Sequence, residues 1–77
     1  MSSEIQAVLF SKDSKYEWNT PKIKEFLDKN KLTQIKPTHE TTNYYRCRIN
    51  PPEKYKYFRT HKVKGMGIDF VIGFGRR

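Results

Sequence analysis

The chain has 77 residues, of which 35% are hydrophobic, and it carries a formal net charge of +8 at neutral pH. A chain of this length forms at most one domain and buries only about 60% of the surface that its unfolded form exposes. Its single cysteine excludes an intrachain disulfide, and its apolar runs are far shorter than the roughly 20 residues of a membrane span. We therefore expect one small soluble domain over residues 1–77.

Aromatic residues offset the low apolar content. The chain contains five Phe, five Tyr and one Trp, and each large ring buries much surface. This composition predicts a folded domain with an aromatic core and argues against a disordered basic tail.

The first predicted elements are a strand and a helix. The apolar run over residues 5–10 predicts a strand, and its two apolar faces favour a central position in a sheet. Thr20 and Pro21 predict a helix start, because Thr caps free N–H groups and Pro is tolerated in the first turn. Asn30, which tolerates a left-handed conformation, predicts the helix end. The apolar stripe that packs on the sheet comprises Ile23, Phe26 and Leu27.

The second half of the chain predicts strands and turns. Residues 34–36 predict a short strand that Pro37 ends, and residues 38–41 predict a turn. A strand follows, and the prolines at 51 and 52 end it. The remaining predicted elements are an extended segment over 55–63, a tight turn over 64–67 and a last strand over 68–74.

The segment 42–49 has the alternation of a strand with two unlike faces. Side chains of a strand point to opposite faces with a period of two. Tyr45, Cys47 and Ile49 therefore share a face that packs on the core, where Cys47 behaves as a small hydrophobe. The opposite face presents one ring and two guanidinium groups, which belong to Tyr44, Arg46 and Arg48.

The order of a strand, a helix and then three or four strands indicates the α+β class. We expect a single small domain in which one α-helix packs on one face of a mainly antiparallel sheet of four to five strands. The other face of the sheet is expected to be open. On it we place Tyr44, Arg46 and Arg48, together with one row that contains Tyr57, Arg59 and His61.

Several short motifs together carry a family resemblance. In chain order they are Ala7-Val8-Leu9-Phe10, a Thr-initiated Lys-rich helix, Tyr45-Arg46-Cys47-Arg48, Pro51-Pro52 with Tyr55, Phe58-Arg59-Thr60, and Gly67-Ile68 with Val71-Ile72-Gly73-Phe74. This order resembles a small domain of bacteriophage and large DNA virus proteins that is sometimes fused to prohead-protease-like chains. The chain departs from that domain at Cys47, where an aromatic residue is usual, and at Ile49, where glutamine is usual. The resemblance implies a viral setting, and it brings no catalytic residues.

No catalytic, metal or cofactor site is predicted. Cys47, His39 and His61 lie apart in the sequence and lack the spacing of metal ligands. The Gly-Met-Gly and Gly-Phe-Gly segments do not lie between a strand and a helix start, as a phosphate-binding loop requires. We therefore expect a protein that is not an enzyme and that uses no cofactor.

The basic and aromatic residues carry the functional prediction. A balance of 16 Lys and Arg against 8 Asp and Glu favours a polyanionic partner, either nucleic acid or an acidic protein surface. Phosphates attract cations, and rings stack on unpaired bases. The sequence predicts a small basic viral or phage-type protein that binds DNA or RNA through an Arg/Tyr-rich sheet face. The candidate residues are Tyr44, Arg46, Arg48, Tyr57, Arg59 and Lys62.

Two alternatives remain open at this point. The tyrosines can pack against the arginine stems while the charges only solvate an exposed face. The chain can also be a non-catalytic protein–protein interaction module in virion assembly, since Tyr and Arg are enriched at protein interfaces. No membrane partner is expected, and the expected location is intracellular, in the host cytoplasm or nucleus, or in the virion.

Overall fold

Strand β1 (Ser3–Ser11) lies at the centre of a five-stranded antiparallel sheet in a computed structural model that describes residues 3–75. One helix, α1, packs on one face of this sheet, so the structure confirms the α+β class. Two short 3-10 turns cover Ser14–Tyr16 and Pro52–Lys54. The remaining elements are α1 (Thr20–Lys29), β2 (His39–Glu40), β3 (Tyr44–Arg48), β4 (Tyr57–Val63) and β5 (Ile68–Phe74).

The order of the strands across the sheet is β2-β3-β1-β5-β4. The central position predicted for the first strand is therefore confirmed. Both faces of this strand are apolar because both are buried. Ala7 and Val8 are neighbours that point to opposite faces, and each has 0% exposure.

The strand register defines the two faces of the sheet. Side chains directly opposite each other in an antiparallel pair lie on the same face. Phe10 is opposite Tyr45 on β3 and Ile68 on β5. The centroid of its ring lies 5.5 Å from that of Phe26 in α1. We call the face that carries this row the helix face and the other one the open face.

The core lies between α1 and the helix face. Ile23 and Leu27 are the buried residues of α1, and Phe26 packs against the same cluster, so the predicted apolar stripe is confirmed. Trp18 joins this core at the start of α1, with its ring 4.8 Å from Phe10, and its indole N–H donates to the Met66 carbonyl at 2.7 Å. The indole therefore ties the turn between β4 and β5 to the start of α1.

The ends of α1 differ from the prediction in their capping residues. The cap is Asn19 and not Thr20, because the Asn19 side chain accepts a hydrogen bond from the Lys22 N–H at 3.0 Å. The helix ends before Asn30 as predicted, but Asn30 is not left-handed, and the positive φ of 57° falls on Lys31 instead. The Asn30 side-chain amide donates to the Phe26 carbonyl at 2.8 Å and so satisfies a carbonyl of the last helical turn.

The predicted strand over 34–36 and the predicted turn over 38–41 are both wrong. Residues 39 and 40 form β2 opposite β3, while Ile35 makes one backbone bond to the Arg48 carbonyl at 2.9 Å. The reason is the hairpin turn between Thr41 and Tyr44, in which the Thr41 N–H donates to the Tyr44 carbonyl at 2.8 Å. This turn sets β2 opposite the first residues of β3.

The hairpin of β4 and β5 agrees with the prediction except at its start, since β4 begins at Tyr57 and not at residue 55. The tight turn over 64–67 and the bounds of β5 are confirmed. Gly67 has a φ of 66°, and a Cβ atom there would lie 2.5 Å from the Tyr16 ring, so this position requires glycine.

No helix within residues 3–75 has both the length and the apolar character needed to cross a membrane.

Candidate nucleic-acid interface

Three of the predicted cations lie on the open face. Arg46 is opposite Leu9, Leu9 is opposite Asp69, and Asp69 is opposite Lys62, so these four side chains form one row across the sheet. In the next row, Arg48 is opposite the buried Ala7. The strand pairing thus brings Arg46, Arg48 and Lys62 onto one surface although they come from two separate segments of the chain.

Tyr44 lies at one end of this surface. It is opposite Ser11 and two residues before Arg46, so it shares the open face, and 36% of the residue is exposed. Segment 44–48 therefore has the two faces that the alternation predicted, with Cys47 buried at 0% exposure on the helix face.

Tyr57 and Arg59 do not lie on the open face, and neither does His61. They are opposite Phe74, Ile72 and Phe70, the row of β5 that continues the helix face. The prediction placed this row on the open face and was wrong, because alternate residues of a strand point in opposite directions and an error of one residue exchanges the faces. Lys62 has the other parity and does lie on the open face.

Tyr57 and Arg59 instead line a cleft on the helix face, beyond the part that α1 covers. The Tyr57 ring stacks on Phe74 with centroids 5.6 Å apart and an angle of 12° between the planes. Together with Ser3 they enclose a volume of about 270 Å³. The six predicted residues thus separate into a group of four on the open face and a pair on the opposite side.

Phe58 also belongs to the open face, although the sequence did not single it out as a candidate residue. This residue is opposite Gly73 on the open face, and 43% of it is exposed. The alternation shows only that Phe58 shares a face with Lys62, and the register with β5 is needed to show which face that is. The open face therefore presents two exposed rings, with Tyr44 and Phe58 on strands at either side of the centre.

The three predicted cations of the open face, Arg46, Arg48 and Lys62, have no ion-pair partner within residues 3–75. The ion pairs in that range are Lys12–Glu40, Lys22–Glu17 and Lys54–Glu4. Arg46 is half-buried, and its Nε atom has neither solvent contact nor a hydrogen-bond partner among the described residues. Asp69, which is opposite Lys62, is a carboxylate on the same face, but it forms no ion pair with Lys62 among the described residues.

Tyr55 covers one end of the open face. Its ring lies over Gly73, where a Cβ atom would come within 2.4 Å of a ring carbon. The Tyr55 hydroxyl donates to the Glu4 carboxylate at 2.9 Å, and Lys54 lies 3.5 Å from the same oxygen. Burial, together with the hydrogen bond to Glu4 and its charge, raises the pKa of Tyr55 from 10.0 to about 12.

Hydrogen bonds to β1 hold the loop of residues 50–55, which carries Tyr55, against the sheet. The side-chain amide of Asn50 donates to the Ile5 carbonyl at 2.9 Å, and the buried Gln6 amide donates to the Asn50 carbonyl at the same distance. These bonds surround the irregularity in β1 between Ile5 and Ala7. They fix the loop that carries Tyr55 against the sheet.

Cys47 is not placed for chemistry with solvent. It is buried against Val8 and the helix, and its Sγ lies 3.8 Å from the Thr38 hydroxyl. Burial raises the pKa of the thiol, which the contact with Thr38 partly opposes. Among the residues that the structure describes, no three His, Cys, Asp or Glu side chains group as metal ligands.

The fold and this surface define a small α+β domain with a basic, partly aromatic open sheet face. Comparison with protein-family models, curated proteins and solved structures gives no match.

Proposed function

We propose that this chain binds nucleic acid through the open face of its sheet. The observation that carries the proposal is that Arg46, Arg48 and Lys62 share this face with two exposed rings and have no ion-pair partner within residues 3–75. A surface of this kind attracts a polyanion before contact is made, and the net charge of +8 adds to that attraction.

The arginines supply the phosphate contacts. A guanidinium group presents several N–H donors in a plane that matches two phosphate oxygens. Arg46 and Arg48 lie two residues apart on β3, so their side chains emerge on the same face about 7 Å from each other. This spacing is similar to that of successive phosphates along a single strand.

The rings supply contacts to bases. Tyr44 and Phe58 are exposed on the same face as the cations. Aromatic side chains on an open sheet stack on unpaired bases, and every base has a ring face to offer. The proposed ligand is therefore single-stranded DNA or RNA.

The proposed role is binding without catalysis. The viral setting belongs to the proposal and is supported by the resemblance in motif order. Tyr57 and Arg59 lie outside the proposed interface, because they are on the other side of the sheet.

A titration of labelled oligonucleotides tests the proposal. Fluorescence anisotropy with single-stranded DNA, duplex DNA and RNA is measured at two salt concentrations for the wild type and for Arg48→Ala. The variant should bind all sequences more weakly. The slope of the logarithm of its binding constant against the logarithm of the salt concentration should be less steep by about one unit.

Arg59→Ala is the matched control, since it removes the same group from the opposite side of the sheet. It should keep most of the affinity and the wild-type salt slope. Absence of any wild-type binding to DNA and RNA at low salt refutes the proposal. Equal losses in the two variants also refute it, because they would show that only total charge matters.

A further inference from the structure

Strand β4 forms one edge of the sheet and has no neighbouring strand on its outer side within residues 3–75. It is seven residues long, whereas the opposite edge, β2, has two residues. Six of the seven β4 residues are exposed. A long, accessible edge is the place where a sheet can accept a further strand.

The register identifies the backbone groups that point outward from β4. In an antiparallel pair, facing residues alternate between those that exchange hydrogen bonds and those that do not. The Ser11 N–H donates to the Gly67 carbonyl at 2.8 Å, which makes this facing pair a bonded one. Every second facing pair is then bonded, so Asp69 and Val71 direct their backbone groups toward β1.

The alternate residues of β5 consequently direct their backbone groups toward β4. Ile68, Phe70 and Ile72 face Val63, His61 and Arg59, whose groups are used in that ladder. Three residues of β4 remain with both N–H and C=O directed away from the sheet, namely Phe58, Thr60 and Lys62.

We infer that β4 pairs with an extended, acidic segment of a partner protein. Three outward donors alternate with three outward acceptors along the edge. A peptide strand supplies partners for all of them. A phosphate backbone has acceptors only, so it would leave the three carbonyls without donors and would be repelled by them. The edge therefore fits a peptide better than a nucleic acid.

The side chains beside the edge specify an acidic partner. Arg59 and His61 lie on one face of β4 and Lys62 lies on the other, while the strand contains no Asp or Glu. Arg59 and Lys62 have no ion-pair partner within residues 3–75. An incoming strand with carboxylates at alternate positions places them beside Arg59 and His61, where opposite charges across a ladder are favourable.

A second copy of this chain fits the edge less well. Symmetric antiparallel pairing of two β4 strands around Thr60 sets Arg59 of one copy against His61 of the other, and Phe58 against Lys62. Each chain also carries a net charge of +8. Basic residues on an edge are a common device against self-pairing, and here they leave the edge available to an acidic strand.

The probe that tests this inference is a capped synthetic peptide of about nine residues that alternates glutamate with valine. Binding is followed by amide exchange in NMR spectra of the full chain. The expected result is slower exchange at Phe58, Thr60 and Lys62, because the peptide covers these outward N–H groups. Exchange at Arg59 and His61 should change less, since their N–H groups already bond to β5.

Two N-methylated peptides separate strand pairing from simple charge attraction. With glutamates beside Arg59 and His61, the valine N–H groups point toward β4 and the glutamate N–H groups point away. Methylation of the valine nitrogens should therefore abolish binding, and methylation of the glutamate nitrogens should preserve it. Equal binding of the two modified peptides, or no binding of the unmodified one, overturns the inference.

Protein variants give an independent readout. Arg59→Ala should weaken peptide binding by about two- to fivefold, as the loss of an exposed ion pair does. Lys24→Ala removes the same charge from the exposed surface of α1 and should leave the affinity unchanged. Equal weakening by both variants would contradict a specific contact at the edge.

Two further measurements test whether nucleic acid or a second copy of this chain, rather than an acidic peptide, binds the β4 edge. Oligothymidine that protects the same three amides, or a protein that dimerises alone with protection there, overturns the inference in favour of nucleic acid or of a second copy. The inference is independent of the proposed function, because nucleic-acid binding is measured by Arg48→Ala on the open face. Either can fail while the other stands.

Discussion

The helix face and the open face belong to the same five strands, but they are covered in different ways. On the helix face, Val8, Phe10 and Cys47 have 0% exposure because α1 and Trp18 lie over them. On the open face, no helix of residues 3–75 lies above the equally buried Ala7, which is opposite the half-buried Arg48.

The two faces show how a small sheet can protect both of its sides although the described residues place a helix on only one of them. Long side chains such as Arg can lay their aliphatic stems on apolar neighbours and keep the charged group in water. Tyr55 covers the end of the open face at Gly73. The open face is thus partly covered by its own side chains, and it still presents charge and rings to a partner.

Phe10→Ala should have the largest effect, because it removes the ring at the centre of the helix face. Phe10 is fully buried and contacts both Trp18 and Phe26. The expected loss is about 3–5 kcal/mol of unfolding free energy, which threatens a domain of this size. Urea denaturation followed by circular dichroism measures it.

The matching change on the open face is Tyr44→Ala, which should alter stability by only about 0.5 kcal/mol. If the two variants lose similar stability, the contrast between the faces is wrong.

Cys47 tests the burial of the helix face by chemistry. Since the thiol has 0% exposure, a thiol reagent can reach it only when the structure opens. We expect labelling in the native state to be slower than in denaturant by about a hundredfold or more. The chain has one cysteine, so the signal has a single source. Equal labelling rates in the native state and in denaturant would show that Cys47 points to the open face and not to the helix face.

Tyr44→Ala also distinguishes the two faces through its effect on nucleic-acid binding. Loss of a stacked base should cost about 1–3 kcal/mol of affinity for single strands, with a smaller loss for duplexes. Tyr57→Ala is the matched ring on the other side of the sheet and should cost less. Anisotropy titrations of both variants measure these losses of affinity. A larger loss for Tyr57→Ala would show that the interface lies on the helix face.

The dependence of stability on pH in the alkaline range tests the contact between Tyr55, which covers one end of the open face, and Glu4. The pKa of Tyr55 is raised from 10.0 to about 12, so the folded chain keeps a proton that the unfolded chain releases. The stability that this group contributes is present in full below pH 10.0 and is lost as the pH rises through about 12.

Tyr55→Phe should therefore show a smaller fall in urea midpoint across this alkaline range than the wild type. Tyr44→Phe removes an exposed hydroxyl and serves as the control, with the wild-type curve expected. Identical curves for Tyr55→Phe and the wild type would show that the contact with Glu4 does not hold the proton.

Much of the fold could be predicted because local signals agreed with each other. The spacing of Ile23 and Leu27 predicted the buried side of α1, and the alternation around Cys47 predicted the two faces of β3. The prediction failed at β2, where two residues of weak strand character pair only because the Thr41 turn returns the chain.

The amino-acid sequence was sufficient to predict the class of the fold, the central strand, the helix, the last strand and the inward side of Cys47. These features depend on the periodicity of side chains within one segment, which a reader of the sequence can count. The folded structure was needed to show that Tyr57 and Arg59 lie off the open face, that Phe58 lies on it and that Tyr55 covers Gly73. These features depend on the register between strands distant in the sequence, where a shift of one residue exchanges the faces.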